Sequence, residues 1–219
     1  MKLIKIDENH FANMIAINKS KNGDAINEGL SKLFKCMNDE SNRFEVSIKV
    51  AALNQLYSTA IQYIPPVVEK IVTSIPKKSN YEEQDFVKLI DSISTITWDS
   101  DRKGKEYSRN NLSFASKYVH FLSERKTPIY DSHIWIVMIG YLIQERNNKY
   151  SFAPPKNYES FYKFFKEFKE FFNLQEKSNY EIDKFLWQYG KNMITEIINE
   201  QNVSMDKAKS ILKKRITEF

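Results

Sequence analysis

Apolar residues recur every three or four positions along most of the chain, the spacing that gives a helix one buried face. Residues 7–19 predict a short first helix, broken at Gly23. In 24–37, Ile26, Leu30, Leu33 and Phe34 share a stripe. Ser41 or Asn42 suits the N-cap of a third helix carrying Val46, Val50, Leu53, Leu56 and Tyr57. Pro65 and Pro66 close that helix, because a residue before proline is pushed out of the α region. Pro66 in turn suits the first turn of a helix through Val67, Val68 and Ile71. Residues 81–96 place Phe86, Leu89, Ile90 and Ile93 on one face. The stretch 99–111, DSDRKGKEYSRNN, is polar and reads as an exposed loop. Further helices are predicted in the first half of 113–135 and over 132–145, 158–172, 180–200 and 204–217. No segment sustains the alternation of a strand. The expected fold is all-α, with eight to ten helices in a single domain over 1–219. A linker at 147–157, NNKYSFAPPKN, is able to divide it into two helical lobes.

Composition narrows the chemistry. Only 5 glycines and 6 prolines in 219 residues leave few tight turns and favour long regular elements. The one cysteine, Cys36, excludes an internal disulfide or a Cys-based zinc site. The histidines are three, His10, His120 and His133, so neither a metal nor another cofactor is expected. Charges within MKLIKIDENH argue against a secretory signal, and no apolar run is long enough to cross a membrane. A cytoplasmic location is the resulting expectation. The net charge of +5 is concentrated between Asp101 and Lys126, where seven basic residues stand against three acidic ones. Such a balance permits a nucleic-acid partner without demanding one. No Gly-rich phosphate loop or Gly-x-Ser-x-Gly elbow occurs, so kinase, P-loop and standard hydrolase readings lack support.

The segment SHIWIVMIGYLI, 132–143, is apolar on nearly every side and predicts a buried central helix. Asp131 precedes it, and either Asp131 or Ser132 suits the N-cap. The same position favours a charged carboxylate through the helix dipole, and a fixed carboxylate can orient water or stabilise a developing positive charge. Cap and catalyst both remain open. His120 reads as a solvated or partner-satisfied histidine. In 158–172, Phe161, Phe164, Phe165, Phe168, Phe171 and Phe172 recur at helical spacing, a core stripe rather than a stacking surface. Leu186 and Trp187, in DKFLWQYGK, read as packing.

TPIYDSHIW resembles the end of the helix-hairpin-helix DNA glycosylase superfamily motif, and its tryptophan is similar to the 8-oxoguanine glycosylase branch. IKVAALNQLYSTAIQYI resembles an early helix of that family. The two quoted blocks cover 26 of the 219 residues. The resemblance implies DNA as partner and Asp131 as the essential carboxylate. It implies a base-facing role for Tyr57, Gln55 and His133, although Tyr57 by default is a core aromatic, Gln55 a surface residue and His133 a capping or phosphate-contacting one. Arg102, Lys103, Lys105 and Arg109, before the hairpin position, together with Lys117, are expected against the DNA backbone. The family's turn carries glycines, whereas YSRNNLSFAS has none. Ser113 stands where bifunctional members carry a nucleophilic lysine, so the implied activity is monofunctional, with an Asp-activated water and no Schiff base. The alternative is a non-catalytic helical module for nucleic-acid or protein interaction that keeps only the fold.

Overall fold

A computed structural model of the protein describes residues 1–20, 23–75, 81–99, 106–146 and 150–219. Among these residues the chain is all-α apart from one two-stranded sheet. The elements are α1 (Glu8–Ser20), α2 (Gly23–Cys36), α3 (Arg43–Tyr57), α4 (Ile64–Ser74), α5 (Glu83–Ser94), β1 (Thr95–Asp99), β2 (Glu106–Asn110), α6 (Leu112–Leu122), α7 (Ser132–Arg146), α8 (Tyr158–Phe171), α9 (Asn179–Gln201) and α10 (Met205–Thr217). No described helix is long and apolar enough to cross a membrane.

Local chemistry accounts for several boundaries. The Asn42 side chain accepts the Phe44 N–H and starts α3. Ser178 and Glu181 form a reciprocal capping box at the start of α9, and Ser204 caps α10. The end of α6 closes in a Schellman arrangement. The Arg125 N–H reaches the His120 carbonyl at 2.6 Å, the Glu124 N–H reaches that of Phe121 at 3.3 Å, and Glu124 stands at φ 52° where glycine is usual.

The sheet corrects the sequence reading. The helix expected through Ile96 stops at Ser94, and the expected loop is in part a strand. Thr95, Ile96, Thr97 and Trp98 are β-branched or aromatic and pack well on a pleated surface, so the chain leaves the helix there. β1 and β2 pair antiparallel, with Ile96 opposite Arg109 and Trp98 opposite Tyr107.

The chain forms two compact units. The first comprises Met1–Gly23, Asp131–Pro155 and Lys163–Phe219, and α9 is its centre, packed by α1, α7 and α10. Two glycines permit close packing inside this unit. A Cβ on Gly140 would meet Leu3 and Ile216 side chains at 3.1–3.2 Å. One on Gly190 would meet the Val137 side chain at 3.0 Å and the His133 carbonyl at 3.1 Å. The second unit comprises Asp24–Tyr130 and Lys156–Tyr162. In it α5 packs on α6, α3 on α4 and α6, and β1 on α4. Asp91 of α5 accepts the Tyr158 N–H at 2.6 Å and the Glu159 N–H at 3.2 Å, satisfying the first turn of α8. Of the expected stripe, Phe161, Phe165 and Phe168 are fully buried and Phe164 and Phe172 half-buried, whereas Phe171 is exposed at the end of α8 and does not belong to the core.

Candidate active site at the start of α7

α7 buries nine consecutive residues, Ile134–Leu142, yet the three positions at its beginning, Asp131, Ser132 and His133, stay half-exposed. A helix buried on all sides still has to satisfy the free N–H groups of its first turn. Asp131 does so. Its carbonyl accepts the Trp135 N–H at 2.8 Å, the first hydrogen bond of the helix, and its Oδ1 accepts the His133 N–H at 2.9 Å. The His133 Nδ1 lies 2.9 Å from the same oxygen. A carboxylate only accepts, so Nδ1 carries the hydrogen and the imidazole is held in one orientation. The two side chains retain 19% and 16% of their exposure. Asp131 is therefore a cap whose carboxylate is held by both the backbone and the ring of one residue.

α9 supplies the neighbouring wall. Gly190 lets it approach the first turn of α7, and the Trp187 ring lies 6.3 Å from that of His133. Lys191 Nζ sits 4.6 Å from the centre of the Trp187 ring, a cation–π contact. Leu186 is fully buried, as expected of a packing residue, whereas Trp187 is only half-buried. Sequence reading missed Trp187 as a neighbour of His133, and Lys191 as the cation on the Trp187 ring. The available signal was Gly190, a costly residue in mid-helix that calls for a close-packing reason.

The other expected site residues have different surroundings. Tyr57 and Gln55 belong to the second unit, and Asp131 and His133 to the first. Gln55 is exposed on α3. The Tyr57 hydroxyl donates to Asn27 Oδ1, and its ring packs edge-on to Phe121 at 6.0 Å. Lys117 requires a correction. It is 4% exposed, its Nζ donates to Ser113 Oγ at 2.7 Å, and it lies 5.5 Å from the Tyr57 ring centre. α6 is buried along almost its whole length, so a lysine on it is drawn inward and is not presented to a phosphate. Arg109 is half-buried on β2. Arg102, Lys103 and Lys105 lie outside the described residues.

Other polar clusters are structural. His120 is fully buried, and its Nδ1 donates to the Thr127 carbonyl at 2.5 Å. Burial lowers its pKa to about 4 against the pull of that carbonyl, so the ring is neutral at pH 7. Lys49 is fully buried against Glu40, whose second oxygen takes the Tyr118 hydroxyl. Burial, then the Glu40 charge, pushes the Tyr118 pKa well up. Beside this network is a cleft of about 480 Å³, with Phe34 and Phe121 among its walls and Arg125 anchored to Ser31 and the Asn27 carbonyl. Among the described residues, no three His, Cys, Asp or Glu side chains gather in a way that would hold a metal ion.

Residues 10–126 match one family model, HI_0787_N, described as an N-terminal domain. The matched stretch contains Tyr57 and Lys117 and ends before Asp131. No curated protein and no solved structure matches the chain.

Proposed function

The chain belongs to the HI_0787_N family, and with that membership as the frame for residues 10–126 we propose that Asp131, beyond them, makes the protein a monofunctional DNA base-excision glycosylase. The reading is supported above all by one observation. The Asp131 carboxylate is fixed by the backbone N–H and the ring of His133, yet keeps part of its surface open. The DSHIW resemblance supports it from the sequence side.

In this reaction the bond between the sugar C1′ and the base nitrogen breaks, and its electron pair leaves with the base. Positive charge develops on the sugar in an oxocarbenium-like state. Asp131 stabilises that charge and orients a water. The water oxygen bonds to C1′ as its proton passes to the carboxylate. His133 acts as a positioning residue that keeps Oδ1 in one place. Trp187 offers an aromatic face beside it for an unstacked base. No lysine–sugar intermediate is involved, so the product is an intact abasic strand.

Oligonucleotides with single damaged bases, scored for strand breakage only after alkali, test the proposal. Wild type is expected to release at least one of the bases, and Asp131→Asn to lose release by about 10²–10³-fold. Asparagine caps as well as aspartate, so the variant keeps its thermal midpoint. Absence of release across the panel, or equal release by the variant, defeats the reading.

A second reading, a nucleic-acid-binding module without catalysis, is favoured by the sheet. The residues YSRN, which the resemblance puts at a glycine-bearing turn, lie in β2. Binding without release in the same assay would select it.

A further inference from the structure

The β1–β2 ribbon separates its side chains by face. Directly opposed residues of an antiparallel pair share a face, and alternate residues along a strand share it too. One face therefore carries Ile96, Trp98, Tyr107 and Arg109. The other carries Thr95, Thr97, Glu106, Ser108 and Asn110. Ile96 is 2% exposed and roots the first face in the unit, with β1 lying against α4 and α5. Outward along the ribbon, the Trp98 and Tyr107 rings stack with centroids 6.0 Å apart and planes 17° from parallel. Tyr107 remains 47% exposed, so its ring is not absorbed into the core. Arg109 is one pleat away on the same strand and face. The carboxylate of this strand, Glu106, is on the opposite face.

We propose that the Trp98–Tyr107–Arg109 face is a stacking platform for an unpaired base of a nucleic-acid strand. The inference rests on the nucleic-acid reading above but not on catalysis. An exposed aromatic ring offers its flat side to any base, and a guanidinium one pleat along is placed for the adjoining phosphate. Charge separation favours a polyanion on this face, because Glu106 is turned away from it. The chain as a whole carries +5, which permits such a partner. A nucleic-acid strand accounts for the aromatic and the cationic residues together, whereas an apolar protein partner would leave Arg109 unused.

Binding of the full chain to a labelled single-stranded oligonucleotide and to its duplex, at low and moderate salt, tests this. The Asp131→Asn background separates binding from base release. Single-strand binding with quenching of Trp98 fluorescence is expected, the Trp98→Phe variant identifying that signal. Tyr107→Thr keeps a strand-forming residue but removes the ring, and is expected to weaken single-strand binding about 10-fold. Tyr107→Phe keeps the ring and is expected to stay within about twofold. Arg109→Ala is expected to flatten the salt dependence by about one ion. Each variant's thermal midpoint shows whether it is folded. A folded Tyr107→Thr that binds like its parent, preference for the duplex, or no binding to either form overturns the proposal. Those outcomes leave the base-release assay to judge Asp131 independently.

Discussion

α6 and α7 follow one another in the chain, and both are largely buried, but they treat their polar residues in opposite ways. α6 takes Ser116, Lys117 and His120 into the interior and gives each a hydrogen bond close by. Ser116 Oγ accepts the Tyr130 N–H at 3.0 Å, Lys117 bonds Ser113, and His120 bonds the Thr127 carbonyl. Its Tyr118 donates to the half-buried Glu40 of the Lys49 pair. α7 buries an apolar run instead and leaves Asp131 and His133 at its half-exposed first turn. A buried polar group committed to a neighbour is costly to redirect towards a ligand. A half-exposed group held in place by its own helix is oriented without being sealed off. Residue type alone does not separate these cases, since one histidine of each kind occurs within fourteen positions.

The largest effect that can test this contrast comes from Lys49. In Lys49→Met the half-buried Glu40 loses its fully buried cation, and stability measured by denaturant unfolding is expected to fall by about 3–4 kcal/mol. A loss below about 1 kcal/mol would mean that the network under α6 is solvated, and the contrast with α7 would collapse.

Acid gives the next effect. The unfolded chain protonates histidine near 6.5, and folded His120 only near 4. The unfolded state therefore takes up the proton first. Stability is intact above 6.5 and falls as pH drops towards 4, by up to about 3 kcal/mol from this residue. Burial also lowers the His10 pKa, which acts in the same direction. Subtracting the profile of His120→Gln isolates the His120 share. Parallel profiles for the two proteins would show that His120 is already hydrated in the folded state.

The smallest effect is at α7 itself. Asp131→Ala removes the cap and is expected to lower stability by about 1 kcal/mol with the fold retained. A loss of several kcal/mol would make Asp131 a core residue like those of α6. It would also weaken the case for a carboxylate partly open to substrate.

Much of the helical layout is legible in the sequence because its causes are local. The stripe Val46, Val50 and Leu53 lies within three turns and is fully buried. Asn42, Ser178 and Ser204 mark starts that depend on bonds two or three residues away. The sheet is harder to see. Thr95–Asp99 is a five-residue run that continues a helical pattern, and its partner strand has almost no apolar residues. Strand pairing then depends on a segment beyond the intervening connection. The candidate site divides in the same manner. Asp131 and His133 are two residues apart and suggest their own contact. Trp187 is more than fifty residues away, and Gly190 alone hints at its approach to α7.

The sequence by itself determined an all-α chain, where most helices begin and end, and a capping aspartate before a buried helix. Each follows from periodicity or from hydrogen bonds that span a few residues. Only the tertiary structure decided that Lys117 turns inward, that Thr95–Asp99 pairs with Glu106–Asn110 and stacks two aromatic rings, and that Trp187 stands beside His133. The partners in these cases are brought together by packing between separate elements, and burial depends on what arrives from elsewhere in the chain. Lys49 makes the point most directly. It is a charged residue on α3, yet it is fully buried, because Glu40 and Tyr118 converge there from different parts of the second unit.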